Sequence, residues 1–233
     1  MQRLLASLNS AGINIPDCDL LSISSQLIAK NGSGDMQIYI QVTRGCQDTR
    51  KYDFPSSLSP TIVMFTLHAP YPTLAEKKVG IWANIVNDTR WQRCDIKATS
   101  MLANIMQNEE ATSTGADTGL LVRNGYLTEG SSSNVFIVDE KNIVRTPPLE
   151  KLCLPGVTRQ IVIEMIDSLK WPFEENKIDE KDLLNAKEVW ITSTTKEIYP
   201  VTQINQQTLA NISSWDYWHR INEHYQQLIK NQI

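Results

Sequence analysis

Leu127-Thr128-Glu129-Gly130-Ser131-Ser132-Ser133-Asn134-Val135-Phe136 sets a glutamate and a run of small polar residues directly ahead of an apolar stretch. A carboxylate followed by glycine and three serines reads most simply as a turn, and Val135 to Val138 behind it as a short strand. The same juxtaposition of polar cluster and apolar element recurs in Arg93-Cys94-Asp95-Ile96-Lys97, in Leu154-Pro155-Gly156-Val157-Thr158-Arg159 and in Ile191-Thr192-Ser193-Thr194-Thr195. These four clusters are where the chain departs from ordinary core and surface.

Around them the pattern predicts short strands and helices. Thr118 to Val122 and Ile143 to Thr146 read as strands, and Val79, Ile81, Ala83 and Ile85 alternate in another. A helix is predicted from about Ser100 to Ala111, with Met101, Leu102, Ile105 and Met106 facing inward. Pro155-Gly156 opens a second helix, with Val157, Ile161, Val162, Met165, Ile166 and Leu169 on its core face. A short helix over about 179–185, a strand from Glu188 to Thr192 and a helix from about Ser214 to Ile229 complete this part.

Toward the N-terminus, Leu4, Leu5, Leu8 and Ala11 share a helix face that Gly12 stops, and a second helix runs from about Asp19 to Lys30. Met36 to Thr43 alternates strictly and predicts a strand, and Thr61 to Leu67 reads as a buried one. Ala69-Pro70-Tyr71-Pro72-Thr73 is the only Pro-rich connector. The expected organisation is therefore a small α/β domain over 1–68, a linker over 69–74 and a larger domain over 75–233. Clustered strands with helices between some of them indicate an α+β class.

Composition narrows the function. With 22 basic and 26 acidic residues and no basic run, the chain offers nothing for a phosphate backbone to grip, so nucleic-acid binding is not expected. No apolar stretch approaches the ~20 residues of a membrane helix, so no membrane span is expected. Cys18, Cys46, Cys94 and Cys153 lack CxxC spacing, which points to reduced thiols and a cytoplasmic location. His219 and His224 are five apart, the wrong spacing for a helical ligand pair, and no metal site is expected. His68 would have to carry a Ser-His-Asp triad alone, with no GxSxG elbow to present the serine.

Read physically, the third and fourth clusters make a phosphate cradle. A glycine ahead of a helix start leaves the amides of Val157 and Thr158 pointing along the positive end of the helix dipole. The Ser193-Thr194-Thr195 run after a strand adds hydroxyls and further amides. Either signal alone is weak, since Ser or Thr near a helix start is usually a cap. Together with a lysine after a strand, Lys97, and a glutamate in a polar turn, Glu129, they supply the parts pyridoxal phosphate needs: an amine, a carboxylate for the ring nitrogen and a phosphate anchor.

These segments resemble the class IV, or fold-type IV, pyridoxal-phosphate aminotransferases, and most closely the D-amino-acid aminotransferases. Those enzymes carry very similar Arg-Cys-Asp-Ile-Lys and Thr-Glu-Gly-Ser-Ser-Ser-Asn-Val-Phe runs. Gln41-Val42-Thr43-Arg44-Gly45 and Thr192-Ser193-Thr194-Thr195 match in the same order, so the resemblance covers nearly the whole chain. It implies a two-domain α+β enzyme, with a small N-terminal α/β domain and a larger, β-barrel-like domain with helices. Lys97 matches the family's Schiff-base lysine, and Glu129 the carboxylate on the pyridine nitrogen. Arg3 matches the arginine that grips the cofactor phosphate, with Val157, Thr158, Ser193 and Thr194 completing the cradle. Arg50 matches an arginine that helps bind the substrate α-carboxylate.

Two departures from the family pattern bear on function. Where the D-amino-acid enzymes carry histidine two residues after the equivalent of Arg50, this chain has Tyr52, whose phenol donates a hydrogen bond but adds no charge. Family members also begin with further strands before the phosphate arginine, so the resemblance implies a small domain incomplete at its start. The activity it implies is transamination of D-alanine with 2-oxoglutarate to give pyruvate and D-glutamate, in a homodimer acting on small amino and 2-oxo acids. The alternatives are 4-amino-4-deoxychorismate lyase of the same family, which needs no amino acceptor, and an inactive, cofactor-holding short form.

Overall fold

Two units, Met1–Tyr71 and Pro72–Ile233, divide the chain in the computed structural model, which describes residues 1–32, 34–55, 58–209 and 211–231. The first unit holds helices α1 (Gln2–Ser10) and α2 (Leu20–Asn31) and strands β1 (Met36–Thr43) and β2 (Thr61–His68). Asp19 starts α2 by accepting hydrogen bonds from the amides of Leu21 at 3.0 Å and Ser22 at 3.1 Å, which satisfies donors the helix cannot. Arg44 closes α1 from outside, donating to the carbonyls of Ala11 and Gly12 while its guanidinium lies 3.6 Å from the centre of the Phe54 ring.

β1 and β2 pair antiparallel from Met36 opposite His68 to Thr43 opposite Thr61. The expectation of a buried second strand does not hold: Val63, Phe65 and Leu67 are each 40–45% exposed. A two-stranded sheet has one face for α2 to cover, and the alternate residues of β2 are left on the other.

The second unit runs α3 (Leu74–Val79), β3 (Ile81–Asn87), α4 (Leu102–Thr112), β4 (Thr118–Arg123), β5 (Tyr126–Gly130), β6 (Asn134–Val138), β7 (Val144–Thr146), α5 (Val157–Ser168), β8 (Phe173–Glu175), α6 (Glu180–Leu184), β9 (Glu188–Ser193), β10 (Glu197–Ile204), β11 (Gln207–Thr208), a 3₁₀ turn (Ile212–Ser214) and α7 (Asp216–Lys230). The strands form one mixed sheet in the order β5-β4-β3-β10-β9-β6-β7-β8, with β11 on β10. Strand β3 is parallel to both β4 and β10, and β7 to β8.

That order forces the sheet to curl. From β5 to β6 there are five inter-strand steps, about 24 Å if flat at ~4.8 Å each. Yet only residues 131–133 join the two strands, and four Cα steps span at most about 14 Å. The edge strand must swing round toward β6, and the result is a curled, half-barrel sheet within an α+β protein. Its two faces bury Val135, Phe136, Ile137, Trp190, Ile191, Ile198 and Val201 in one core, to which α5 and α7 add Val162, Ile166, Trp218 and Ile221. Among the described residues no helix is long and apolar enough to cross a membrane.

Several sequence expectations are corrected here. Val79 ends α3 instead of starting a strand. A reciprocal cap between Thr73 and Glu76 nucleates that helix, and Gly80, at φ 73, terminates it against Thr202. Met101, which precedes α4, and Leu102, Ile105 and Met106 within it are exposed. The helix buries Gln107 and Ala111 instead, because Ala111 is small enough to approach Gly119 of β4. Val157 is exposed, not core. Glu129 belongs to strand β5, not to a turn. No periodicity marks β10, since Pro200 interrupts it; there it still takes its place opposite Trp190.

Candidate active site

Glu129 sits one residue from the end of β5, opposite Leu121 of β4, and is only 5% exposed. Each of its oxygens is occupied. Oε1 accepts a charged hydrogen bond from Arg90, while Oε2 accepts from the amide of Leu154 at 2.8 Å and from Asn134 Nδ2 at 3.3 Å. Arg90 also grips Asp88 with Nε and Nη2, both at 2.9 Å, the planar two-point fit that arginine makes with a carboxylate. Asp88 in turn accepts from Arg123 at 2.9 Å and from Thr128 at 2.8 Å.

Two buried carboxylates thus face two guanidiniums, and the charges balance. Burial pushes the carboxyl of Glu129 up, against the pull of Arg90 and of the Leu154 amide. At Asp88 burial acts the same way, but Arg90 and Thr128 outweigh it and hold the carboxyl below its ordinary value. Burial opposes the charge on Arg90, yet its bonds to Asp88 and Glu129 prevail and keep it protonated.

Asn134, the first residue of β6, ties this carboxylate to the start of α5. Its Nδ2 donates to the carbonyl of Leu154 at 2.8 Å and lies 3.2 Å from the sulfur of Cys153. A Cβ on Gly156 would fall 2.0 Å from Asn134 Oδ1. Gly156 has φ −67 and ψ 137, a conformation open to any residue, so glycine is required there for space. No side chain caps the helix that follows, which leaves its first amides without a side-chain acceptor. Thr158 is buried in that first turn and Val157 exposed beside it.

Asn134 also pairs with Thr192 across the β6–β9 ladder, which brings the end of β9 to the same place. Thr192 is buried and its Oγ1 has no hydrogen-bond partner among the described residues. Next along, Ser193 Oγ accepts from the amide of Lys196 at 3.1 Å, and Thr194 is exposed. Asn134 therefore joins Glu129 to the segment ahead of α5 and lies beside Thr192 of β9. Lys97 lies on the segment between β3 and α4 that also carries Asp88 and Arg90, and it is exposed. That segment is pinned by the Cys94 amide, which donates to Lys151 O at 2.8 Å, and by the ion pair of Arg93 with Asp95 at 2.9 Å.

Lys97, Glu129, Val157, Thr158, Ser193 and Thr194 all fall in the second unit. The other expected site residues lie in the first. Arg3 is half-buried in the first turn of α1, and burial lowers its pKa. Arg50 and Tyr52 stand on the exposed segment after β1, where Arg50 Nη2 donates to the Tyr52 hydroxyl at 2.8 Å. Tyr52 lines a cleft of about 250 Å³ with Arg44, Lys51 and Phe54. Sequence reasoning missed Asp88 and Arg90, because charged residues in a loop read as surface. It quoted Asn134 without assigning it a role. No group of side chains among the described residues could hold a metal ion.

Residues 1–204 match the family described as amino-transferase class IV. A D-alanine aminotransferase of Bacillus licheniformis is 36% identical over 211 residues, covering 90% of this chain and 74% of the relative. Among solved structures, a branched-chain aminotransferase from Thermoproteus uzoniensis, determined with norvaline, superposes with a TM-score of 0.84 at 26% identity, over 98% of this chain and 77% of that one. A putative 4-amino-4-deoxychorismate lyase from Legionella pneumophila shares the fold, with a TM-score of 0.86 at 20% identity, over 97% of this chain and 83% of that one.

Proposed function

We propose that this chain, which belongs to the class IV aminotransferases, binds pyridoxal 5′-phosphate and transfers the amino group of a D-amino acid to a 2-oxo acid. D-Alanine and 2-oxoglutarate are the proposed pair, giving pyruvate and D-glutamate. The observation that carries the reading is the rigid unit in which Asn134 and Leu154 join the buried carboxylate of Glu129 to the uncapped start of α5. Such a unit offers a ring-nitrogen partner and an anion site at a fixed separation. The D specificity is supported by the curated relative, a D-alanine aminotransferase.

The residues present fit the cofactor. The first amides of α5 are without a side-chain acceptor among the described residues, and Thr192 Oγ1 is a buried hydroxyl with bonding capacity to spare. When bound, pyridoxal phosphate supplies an electron sink for the charge that develops at the substrate Cα. Glu129 would hold a proton on the ring nitrogen, with Arg90 orienting that carboxylate. The amides of Val157 and Thr158 and the hydroxyls of Ser193 and Thr194 would bind the phosphate. Lys97 Nζ would hold the cofactor and move the proton at the substrate Cα. For Arg50 and Tyr52 the family resemblance alone supports a role toward a carboxylate, charge-assisted from the first and neutral from the second. We read the enzyme as a cytoplasmic homodimer.

Purified protein loaded with pyridoxal phosphate should release pyruvate from D-alanine beyond one equivalent per cofactor only when 2-oxoglutarate is added, and do so far more slowly from L-alanine. Pyruvate formed from 4-amino-4-deoxychorismate with no acceptor present would favour the lyase chemistry. Borohydride reduction followed by peptide mapping should find the label on Lys97, and Lys97→Ala should abolish turnover. A label on Lys77 or Lys78 would sink the assignment.

A further inference from the structure

Lys77 is 1% exposed and pairs with Glu197 behind the hairpin that joins β9 to β10. Its Nζ also donates to Asn222 Oδ1 of α7 at 3.0 Å, and Gln226 Nε2 of the same helix donates to Glu197 Oε2 at 2.7 Å. Glu197 is the ladder partner of Ser193, so the two Cβ atoms are about 5 Å apart on one face of the hairpin. It holds a left-handed backbone, with φ 56, at the foot of the turn that carries Ser193 and Thr194.

A buried ion pair is a poor source of stability, because desolvating both charges cancels most of what their attraction returns. Two apolar side chains would fill this space as well. What a carboxylate at position 197 does without its cation is place an uncompensated negative charge beside Ser193, in a hairpin meant for an anion. We propose that Lys77 is a specificity-determining residue that neutralises Glu197, so that the Ser193–Glu197 hairpin accepts the doubly charged phosphate of the cofactor. Lys77 acts through Glu197 and does not touch the cofactor. The inference rests on the reading above that Ser193 and Thr194 receive that phosphate.

The charge pair makes a prediction that a scaffold role does not: its two members act with opposite sign. The measurement is the ratio of affinities for pyridoxal 5′-phosphate and for pyridoxal, which lacks the phosphate, followed by absorbance titration of the full chain. Lys77→Met should lower the ratio about tenfold, the scale of one uncompensated buried charge acting on a dianion. Glu197→Gln, which leaves the Lys77 cation behind the hairpin, should raise it. Lys77→Met combined with Glu197→Gln should return it close to the wild-type value, and Lys77→Arg should preserve it. A general loosening of the fold moves both ligands alike and leaves the ratio unchanged. If both single variants shift the ratio in the same direction, or neither shifts it, the inference is wrong; should Lys77→Met fail to fold, the sign of the Glu197→Gln effect decides. A wild-type chain that binds the two ligands equally would instead overturn the phosphate cradle itself, and this inference with it.

Discussion

Replacing Gly156 with alanine adds one methyl group and tests the centre of the site. The backbone there is extended, with φ −67 and ψ 137, so alanine pays no conformational penalty. On chain entropy alone it would stabilise by about 0.4–1 kcal/mol. The added Cβ would instead stand 2.0 Å from Asn134 Oδ1 and 3.2 Å from its Cγ, more than 1 Å short of ordinary contact. Asn134 is itself buried, and turning it away breaks the 2.8 Å bond to the Leu154 carbonyl and the 3.3 Å bond to Glu129. Losing one neutral and one charged hydrogen bond inside the protein costs about 2–4 kcal/mol, against which the entropy gain is small. Gly156→Ala should therefore lower the stability of the second unit by about 2–3 kcal/mol, or roughly 4–12 °C in Tm for a chain of this size. Urea unfolding followed by tryptophan fluorescence reads this directly. In an Asn134→Ala background the clash is gone, and the same substitution should cost nothing, a coupling of about 2 kcal/mol. Equal stability of Gly156→Ala and wild type, or simple additivity with Asn134→Ala, would refute the reasoning.

Glu129→Gln should retain the cofactor but slow turnover by about a hundredfold or more, because a neutral amide cannot keep the ring nitrogen protonated. It should also cost about 2 kcal/mol in urea, since both carboxylate oxygens accept from donors and the new NH₂ must face one of them; unchanged turnover would assign the ring partner elsewhere. Glu188 carries the pH dependence. It accepts from the amides of Tyr217 and Trp218 and from the Trp190 indole, yet burial pushes its carboxyl up to about 7 from an ordinary 4.5. The unfolded chain then releases this proton before the folded one does. Its stabilising contribution is full below pH 4.5, declines as pH rises, and is lost above about 7, a change of about 3 kcal/mol. Urea midpoints from pH 5 to pH 8 should fall for the wild type and stay flatter for Glu188→Gln.

What was legible in the sequence was whatever local chemistry decides. Asp19 starts α2 at the expected place and the helix ends at Asn31, one residue past the expected Lys30, and the alternation from Met36 to Thr43 coincides with β1. Orientation was not local. Four apolar residues of α4 read as its inner face, but the packed stripe is chosen by Gly119 on a strand that follows it, whose lack of a side chain admits Ala111. Strand β5 hid behind its polarity, since Thr128 and Glu129 are buried only because Asp88, Arg90 and Leu154 supply their partners. The chemistry-bearing residue types were readable from their clusters. The residue that joins them was not, because Asn134 meets Leu154 twenty positions away and only the fold brings that about.

The same geometry that closes the curled sheet also builds the site. Strands β5 and β6 meet at a seam, joined by residues 131–133 and without a shared ladder among the described residues. The Gly130 amide donates to Ser133 O at 2.7 Å, and the Ser131 amide to Gly119 O at 2.9 Å, so the link is folded tightly against β4. Ser131 Oγ is anchored in turn by Asn108 and Thr118. Where two strands exchange no ladder bonds, side chains and loop backbone have room to enter. Glu129 on one side of the seam and Asn134 on the other are bridged by Leu154 from the segment ahead of α5. In a continuous ladder both residues would face neighbouring strands at fixed spacing, and no helix N-terminus could reach between them. The short polar run Gly130 to Ser133 therefore has two consequences from one cause: it is too short to leave the sheet flat, and by curling it holds a buried carboxylate beside an open helix start.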